Sequence, residues 1–534
     1  MNILGSNGVG RVLRQLGMTV MLVVALPPGQ ANAVVSVIDW QPFAPAAFAQ
    51  ARAEGKLVLL DLVAVWCHWC HVMEAETYSD PQIAAYINAH YVPVKADHDA
   101  RPDLAERYRE WGWPATVVLD ADGKDVLKRA GYIARDDMLS MLTAVVTDPT
   151  PERDTSLPVP DQLGDGPILA EPLAKRLRAR HKDTFDTEQA GLNIAMKFLD
   201  LDSVLWSLRQ IDDGDSDESV RLRRTLDANL ALIDPAFGGV YQYSTHGDWQ
   251  HPHYEKIMKT QWANLLAYSR ACHALDVPGY CDAGREVASY LMTFLSDPDG
   301  GFYTSQDADL IPGQKGHDYF ALGREARLAK GLPRIDKAQY AATNGMAIEA
   351  LVELYLATGE RVYLTRAEAA SEWVLKHRRL WGGGFRHDRL DSSGPYLADT
   401  LWMGRAFLAL YRATSNAAYL QRSLAAADFI ARQFTHPRAG LVAAVDDGTP
   451  IKPLPQIDQN IQTGLWLTEL AGISGQVQPR KMAEKLMRYL GAESVATSRL
   501  TEAGILEIDA RMTAITKADK GLSHPAEGEA GPSW

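Results

Sequence analysis

Two cysteines and two histidines, Cys67, His68, Cys70 and His71, stand in the segment "AVWCHWCH" (64–71) and could support three kinds of chemistry. Cys-x-x-Cys is the spacing of a redox-active dithiol, and Cys-x-x-Cys-His is the spacing that attaches a c-type haem. Four such side chains in five residues also suggest a metal site. The elements around the segment must decide among these three interpretations.

The haem and zinc interpretations are the weaker two. A haem held by His71 needs a distal ligand, and Met73 is too close in sequence to reach the other side of the ring. For zinc, Cys67, Cys70 and His71 can share one face of a first helical turn, but His68 should point elsewhere and leave three ligands at most. Both remain minor alternatives, and no cofactor and no metal are predicted.

The dithiol interpretation gives the two cysteines different roles. The apolar, β-branched run "KLVLLDLVAVW" (56–66) predicts a strand, and "HVMEAETY" (71–78) predicts a helix. Cys67 therefore lies at a helix N-terminus, where the helix dipole and free N–H groups favour the thiolate. We expect Cys67 to be the nucleophile, and Cys70, one turn later and more buried, to be the resolving thiol.

Five further residues complete the predicted redox site. Asp61, six residues before Cys67 on the strand, is placed to relay the proton of the resolving thiol. Pro114 in "GWPATVVLD" precedes a strand, as a cis-proline beside a redox dithiol would. The neighbours that we expect to tune or shield the thiols are Trp66, His68 and His71.

The chain around this segment divides into domains. Strand and helix patterns alternate over 34–149, which predicts a small α/β domain. A stretch rich in Pro, Asp and Gly at 150–170 predicts a linker, the region 171–516 is helical in pattern, and 517–534 is predicted to be a disordered tail.

The helical region repeats. Glycine-containing turns recur at 237–244, 300–309, 381–391 and, degraded, at 438–448, with two amphipathic helices between successive turns. A hairpin of this kind cannot bury its apolar face alone, so the hairpins must pack side by side. About six of them would close into an (α/α)6 toroid with the glycine turns at one end.

The helical region also carries candidate functional residues. Carboxylates, histidines and aromatic residues gather in and near the glycine turns, and together they predict a ligand site, catalytic or only binding, for a carbohydrate-like molecule. We place that site at Trp249, His253, Glu255, Asp307, Asp309 and Asp399.

The remaining two cysteines and the N-terminus point to an oxidising compartment. Cys272 and Cys281 flank the connection inside a helical hairpin, where we expect a structural disulfide. Residues 1–33 combine Arg11 and Arg14, the apolar run 16–26 and "QANA", which together predict a cleaved export signal. The protein should then be periplasmic or secreted, with no stable membrane span after cleavage.

The composition excludes one class of partner. A formal charge of −13, with no basic cluster, argues against nucleic acid, because phosphate binding needs clustered Lys and Arg. The expected partner is instead a protein thiol or disulfide, with a carbohydrate-like ligand as a second possibility for the helical domain.

Several motifs in order resemble one known family. "CHWCHVME", "RPDLAERY", "GWPATVVLD", "YSTHGDWQHPHYEKIM" and "GGFYTSQDAD" are similar to the YyaL-type, spermatogenesis-associated thioredoxin-domain family. The resemblance implies a thioredoxin-like domain followed by an (α/α)6 barrel similar to six-hairpin glycosidases and N-acylglucosamine 2-epimerases.

The sequence thus predicts a multidomain protein that exchanges thiols and disulfides through Cys67 and Cys70. The helical barrel would hold the protein partner or a carbohydrate-like ligand. The opposing hypothesis makes the barrel a carbohydrate-processing enzyme, glycosidase-like or epimerase-like, with an accessory thioredoxin-like domain.

Overall fold

The sheet of the first domain has five strands in the order β1-β3-β2-β4-β5. Strands β1, β3 and β2 are parallel, whereas β4 is antiparallel to β2 and β5 is antiparallel to β4. The central strand β2 is an unbroken apolar run apart from Asp61, because both of its faces are covered by helices. The strands, numbered in chain order, are β1 (Gln41–Pro42), β2 (Leu57–Val63), β3 (Tyr91–Asp97), β4 (Ala115–Leu119) and β5 (Asp125–Ala130).

Five helices cover the two faces of this sheet. Phe48 of the first helix and Leu104 of the fourth pack on one face, and Ile83 and Leu142 from the third and fifth pack on the other. A π-helical turn at Glu74–Tyr78 follows the second helix directly. The helices are α1 (Pro45–Glu54), α2 (His68–Met73), α3 (Pro81–His90), α4 (Pro102–Arg107) and α5 (Arg135–Thr147).

The second domain is a closed ring of helical hairpins. Six inner helices each contact the next, and the last contacts the first. The inner helices are α7 (Leu201–Asp212), α9 (Met258–Leu275), α13 (Ala341–Thr358), α15 (Leu397–Thr414), α17 (Ile457–Ser474) and α20 (Ala503–Leu522). Their outer partners, in the same order, are α8 (Ser216–Asn229), α10 (Pro278–Phe294), α14 (Arg361–His377), α16 (Ala417–Gln433), α18 (Val477–Leu490) and α6 (Glu171–Asp183). The predicted (α/α)6 toroid is confirmed.

Short elements fill the connections of the ring. They are α11 (His317–Phe320), α12 (Arg324–Lys330), α19 (Glu493–Ala496), β6 (Tyr243–Ser244), β7 (Pro252–His253), β8 (Lys256–Ile257), β9 (Ser305–Gln306) and β10 (Ile335–Asp336). Strands β8, β9 and β10 form a small antiparallel sheet. This sheet lies against residues 66–71 of the first domain, which contain Cys67 and Cys70 and are called the redox segment.

The computed structural model of the chain describes residues 37–152, 159–391 and 393–522. All of the described residues fall in one compact unit. The predicted export signal, 1–33, lies outside them, and α20 continues six residues past the predicted domain end at 516. Across the part of the chain that is described, none of the helices is both long enough and apolar enough to cross a bilayer.

The glycine turns share one construction. Each joins an outer helix to the next inner helix and is closed by a β-bridge such as Ile233 with Val240, or Ser296 with Phe302. A polar side chain of the following inner helix pairs with the turn: Asn344 accepts from Phe302 N and donates to Phe302 O. At Gly239 (φ 73°) an added Cβ would lie 2.5 Å from the ring of Tyr290, so the turn requires glycine there.

A disulfide joins Cys272 of α9 to Cys281 of α10, nine residues apart, across the turn of one hairpin. We expect the double substitution Cys272→Ser/Cys281→Ser to lower the free energy of unfolding by about 2 to 3 kcal/mol, because the short loop it closes restricts the unfolded chain. Denaturant unfolding of the purified protein measures this. The variant should retain the Cys67–Cys70 disulfide. Loss of that disulfide in this variant would show that the two disulfides do not form independently.

Candidate functional site

Cys67 and Cys70 form a disulfide at the start of α2, with their Cα atoms 5.3 Å apart. Cys67 is the N-cap residue of this helix, and its Sγ accepts a hydrogen bond of 3.1 Å from Cys70 N. Free N–H groups at a helix start stabilise negative charge, so the same position would favour a thiolate after reduction. The redox segment therefore has the local geometry that its sequence predicts.

The burial of the two cysteines differs from the prediction. Cys67 is 3% exposed and Cys70 is 6% exposed, so Cys70 is not the more buried of the pair. The reason is the helical domain: Ile257 of β8 packs against the apolar cluster that contains both cysteines. In addition, Ala308 N donates to Trp66 O at 3.5 Å, which ties the segment after β9 to the redox segment.

Pro114 lies directly before β4, and the Trp113–Pro114 peptide is cis. Trp113 packs against the cysteine cluster, and its ring contacts His98, which also contacts Trp66. The indole of Trp66 donates to Asp99 Oδ2 at 2.9 Å. An aromatic wall therefore surrounds the disulfide on the side of the first domain.

Asp61 lies in the middle of β2, fully buried between Lys95 on β3 and Thr116 on β4. The hydroxyl of Tyr78 donates to Asp61 Oδ1 at 3.4 Å, and Lys95 Nζ is 3.5 Å from Oδ2. Burial raises the pKa of Asp61 to about 6, although the nearby charge of Lys95 acts in the opposite direction. The carboxyl can thus bind and release a proton close to neutral pH.

His68 and His71 converge on one carboxylate of the helical domain. Nδ1 of His68 donates to the two oxygens of Asp309 at 2.8 and 2.9 Å, and Nδ1 of His71 donates to Asp309 Oδ2 at 3.3 Å. Burial alone would raise the pKa of Asp309, but the hydrogen bonds from both histidines hold it below its usual value. The expectation that His68 points away from His71 is wrong, because Asp309 inserts between them.

The six predicted barrel residues do not form one site. His253, Glu255, Asp307 and Asp309 gather beside the redox segment, flanking β8 and β9. Trp249 instead supports a turn: its indole donates to Gln189 O at 2.8 Å, and its ring would be 2.8 Å from a Cβ at Gly191. The prediction of a shared site is therefore corrected for Trp249.

Asp399 is the second of the six residues that lies outside the predicted shared site, and its hydrogen bonds connect the two domains. Its Oδ1 accepts from Ala342 N at the start of α13 and from His387 Nδ1 at 3.0 Å. Nε2 of His387 then donates to Asp99 O of the first domain at 2.7 Å. Asp399 thus positions His387 between the two domains. Its buried carboxylate already accepts hydrogen bonds from protein donors.

A cavity of about 690 Å³ lies along the inner helices, and none of the six predicted residues lines it. The thioredoxin-like domain forms part of its wall through His98, Asp99, Glu106 and Arg109. The aromatic and imidazole rings in the wall of the helical domain are Phe198, Tyr241, Tyr243, Trp262, Tyr340, His387 and Trp402. Trp262 and Trp402 both lie in the second turn of an inner helix, and this repetition is the sequence signal that could have located the cavity.

The cavity wall contains several ion-pair contacts and one carboxyl whose pKa is raised. Asp458 contacts both Arg109 of the first domain and Arg499 of the second, and Glu106 lies 3.7 Å from Lys259. Burial and the neighbouring Asp200 raise the pKa of Asp202 to about 7, while Gln462 donates to its Oδ1 at 2.8 Å. Asp202 is thus a carboxyl that can exchange a proton at neutral pH.

Comparisons with known proteins agree with this architecture. A family model described as "Thioredox_DsbH: Protein of unknown function, DUF255" matches residues 30–147. The chain is 28% identical over 309 residues to spermatogenesis-associated protein 20 of Homo sapiens, which is 52% of this chain and 39% of that protein. It is also 34% identical over 80 residues, 14% of each chain, to thiol:disulfide interchange protein DsbD 2 of Pseudomonas aeruginosa.

Two solved structures show a distant likeness to part of this chain. A crystal structure of D-mannose isomerase aligns over 65% of this chain and 98% of its own, at 11% identity and a TM-score of 0.49. A sugar epimerase from a ruminal bacterium aligns over 64% and 99%, at 14% identity and a TM-score of 0.47. The chain matches only 39 to 42% of the length of the first curated relatives. The predicted family resemblance is confirmed.

Proposed function

We propose that this chain is an exported thiol–disulfide oxidoreductase whose redox pair is Cys67 and Cys70. The observation that carries the proposal is the disulfide between these residues at the start of α2, on a sheet with the strand order β1-β3-β2-β4-β5. Matches to thiol:disulfide interchange proteins support the same chemistry for the first domain. Four cysteines paired in two disulfides fit an oxidising compartment.

The proposed reaction moves two electrons between two dithiol pairs. In the reducing direction, the thiolate of Cys67 attacks one sulfur of a partner disulfide, and the partner's other sulfur leaves as a thiolate. The thiolate of Cys70 then attacks Cys67 Sγ, which releases the partner's first sulfur as a second thiolate. The partner disulfide is reduced and Cys67–Cys70 is oxidised; the reverse sequence oxidises a partner dithiol.

The second step needs a proton acceptor, and Asp61 has the required properties. Cys70 must lose its proton before it can attack, and its surroundings are apolar. Asp61 is buried on the adjoining strand, and its pKa of about 6 allows it to take a proton at neutral pH. We therefore give Asp61 the role of base in resolution and of acid when the reaction runs in reverse.

The helical domain restricts access to the redox pair. Cys67 is 3% exposed, and Ile257 packs against its apolar cluster. The segment that contains Asp307 and Asp309 contacts His68 and His71 beside it. A protein partner can reach the sulfur only after this segment moves away, whereas a small thiol needs a much smaller opening. We propose that the contacts of His68 and His71 with Asp309 hold the covered arrangement.

The reduction potential of Cys67–Cys70 tests the proposal. The Cys272→Ser/Cys281→Ser variant leaves one disulfide, so its oxidised fraction can be followed by thiol labelling and mass spectrometry across a series of dithiol redox buffers. We expect a single reversible two-electron transition. A disulfide that does not equilibrate with any buffer in the series, or whose two thiols are never recovered together, would contradict a redox role.

A second candidate function rests on the cavity. Its aromatic rings, together with the carboxyl of Asp202, whose pKa is about 7, suit a polyhydroxylated ligand such as a carbohydrate. We expect a sugar from a mono- and disaccharide panel to raise the melting temperature of the protein through mass action, and Asp202→Asn to reduce that shift. No shift with any sugar would count against a carbohydrate ligand.

A further inference from the structure

Beside the redox pair, three side chains from both domains bring potential metal ligands together. One ligand atom from each of His71, Asp307 and Asp309 can be chosen so that all lie within 4.8 Å of one another. Nδ1 of His71 is 3.3 Å from Asp309 Oδ2, and Nε2 of His71 is 3.6 Å from Asp307 Oδ2. The two aspartates are almost completely buried, at 1% exposure each.

Two buried carboxylate oxygens at this place have no hydrogen-bond partner in the described part of the chain. They are Asp307 Oδ2 and Glu255 Oε2, on residues that are 1% and 5% exposed. Strand β8 pairs with β9 so that Lys256 faces Gln306, which puts Glu255 and Asp307 side by side at the end of the pair. A buried polar atom without a partner is costly, and its presence in a folded protein requires an explanation.

The hydrogen bonds at this place are shared unevenly among three carboxylates. Three carboxylates, those of Glu255, Asp307 and Asp309, are crowded together beside the imidazoles of His71 and His253. The imidazoles of His68 and His71 both direct Nδ1 to Asp309, and neither ring makes a hydrogen bond to Asp307 or Glu255. Asp309 is therefore hydrogen-bonded to protein groups. The nearest imidazole nitrogens to the other two carboxylates lie beyond hydrogen-bond distance, with His71 Nε2 at 3.6 Å from Asp307 Oδ2 and His253 Nδ1 at 3.9 Å from Glu255 Oε2.

We propose that His71, Asp307 and Asp309 bind one divalent transition-metal ion, with Glu255 as a further ligand. Ligands held about 2.1 Å from a tetrahedral ion lie about 3.4 Å apart, and each nitrogen of His71 has this spacing to one of the two aspartates. Either nitrogen of His71 can bind the ion while the other donates to Val65 O or to Asp309, as a metal-bound histidine requires. An imidazole with carboxylates suits Zn²⁺, Mn²⁺ or Fe²⁺.

This site differs from a zinc site built on the Cys-x-x-Cys-His motif. Cys67 and Cys70 are joined in a disulfide, so neither sulfur is a thiolate ligand. The ion would instead link α2 of the first domain to the segment after β9 of the second. It would thereby hold the helical domain over the redox pair. The proposal does not depend on the redox activity of that pair.

The first test is a titration of Zn²⁺ into metal-stripped, untagged, disulfide-bonded protein, followed by calorimetry. We expect one saturable site, and we expect Asp307→Asn and Glu255→Gln each to weaken it at least tenfold. Asp248→Asn is the matched control, because Asp248 pairs with His251 at 2.8 Å on the surface without a third carboxylate. This control should bind Zn²⁺ as the unaltered protein does.

The second test uses the unaltered protein and needs no variant to fold. X-ray absorption of the Zn²⁺ complex should show nitrogen and oxygen ligands at about 2.0 to 2.2 Å and no sulfur at about 2.3 Å. A sulfur ligand, the absence of saturable binding, or wild-type affinity in folded Asp307→Asn protein would each overturn the proposal. Circular dichroism confirms the fold of every variant.

Discussion

Cys67→Ser protein should lose disulfide exchange completely, whether the substrate is insulin or a small disulfide. Serine keeps the size and the N-cap hydrogen bond of Cys67 but is not a nucleophile toward sulfur, so no mixed disulfide can form. Cys70→Ser should instead trap the partner, because the mixed disulfide on Cys67 then has no resolving thiol. The measurements are substrate reduction by the dithiol-reduced enzyme and intact mass after a single turnover.

The Cys272→Ser/Cys281→Ser protein is the control for this pair of variants. It also lacks a disulfide, but that disulfide lies inside the α9–α10 hairpin. We expect it to keep the exchange rate of the unaltered protein at a temperature where all proteins are folded. Equal activity in Cys67→Ser and unaltered protein would show that Cys67 is not the nucleophile.

The insulin and small-disulfide assays also report on the covering of Cys67. Because Ile257 packs against the cysteine cluster and Ala308 N donates to Trp66 O beside Cys67, we expect the small substrate to react faster than insulin does. Asp309→Asn removes the charge that holds His68 and His71, and should therefore increase the insulin rate more than the small-substrate rate. Equal effects on both substrates would mean that this contact does not control access.

The sequence predicted the redox segment well because its geometry is local. A buried apolar strand leads into a helix, and this alone puts Cys67 at the N-terminus of α2. The hairpin ring was also predictable, since glycine turns recur along the chain with two amphipathic helices between successive turns. The edge strand β5 was not predicted, because its charged and apolar residues do not alternate clearly.

The relation between the domains could not be predicted. His68 and Asp309 are 241 residues apart, and His387 and Asp99 O are 288 residues apart, so no local pattern joins them. The relative burial of Cys67 and Cys70 follows from the same contacts and was therefore predicted wrongly. A carboxylate in a glycine turn can support a helix, as Asp399 does, or face a neighbouring domain, as Asp309 does, and sequence does not distinguish the two.

Residues at the interface between the two domains connect the surroundings of the redox pair with the wall of the cavity. His98 contacts Trp66 and Trp113 beside the cysteines, and it also lines the cavity. Arg101 donates to Phe43 O and to Asp447 of the second domain, which holds the start of α4 at the cavity wall. A change in the position of the first domain would therefore alter access to the disulfide and the shape of the cavity together.

Asp61→Asn should make the protein more stable and should slow the release of the partner from the mixed disulfide. Ionised Asp61 is buried, and its pKa is raised from 3.8 to about 6. Below pH 3.8 the carboxyl is protonated in both the folded and the unfolded protein, and it has no effect on stability through ionisation. Between pH 3.8 and about 6 only the unfolded protein releases the proton, so stability falls by about 3 kcal/mol as the pH rises through this window.

Asparagine removes this loss because it does not ionise. We therefore expect Asp61→Asn to raise the free energy of unfolding by about 2 to 3 kcal/mol at pH 7.5 and to change it little at pH 3.5. Lys95 keeps a partner in the variant, since its Nζ is 2.5 Å from Glu74 Oε2. Denaturant unfolding at the two pH values measures the difference, and equal effects at both values would show that Asp61 is not responsible.

The same substitution should slow the release of the partner at least about tenfold, because Cys70 then loses its proton acceptor. Asp97→Asn is the matched control: burial also raises the pKa of Asp97 to about 6, but that residue lies at the end of β3, where it accepts hydrogen bonds from Asp99 N and Ala100 N. The lifetime of the mixed disulfide after rapid mixing separates the two variants. A long lifetime in Asp61→Asn alone identifies Asp61 as the base, whereas normal lifetimes in both would leave Asp61 with an effect on stability and none on the exchange reaction.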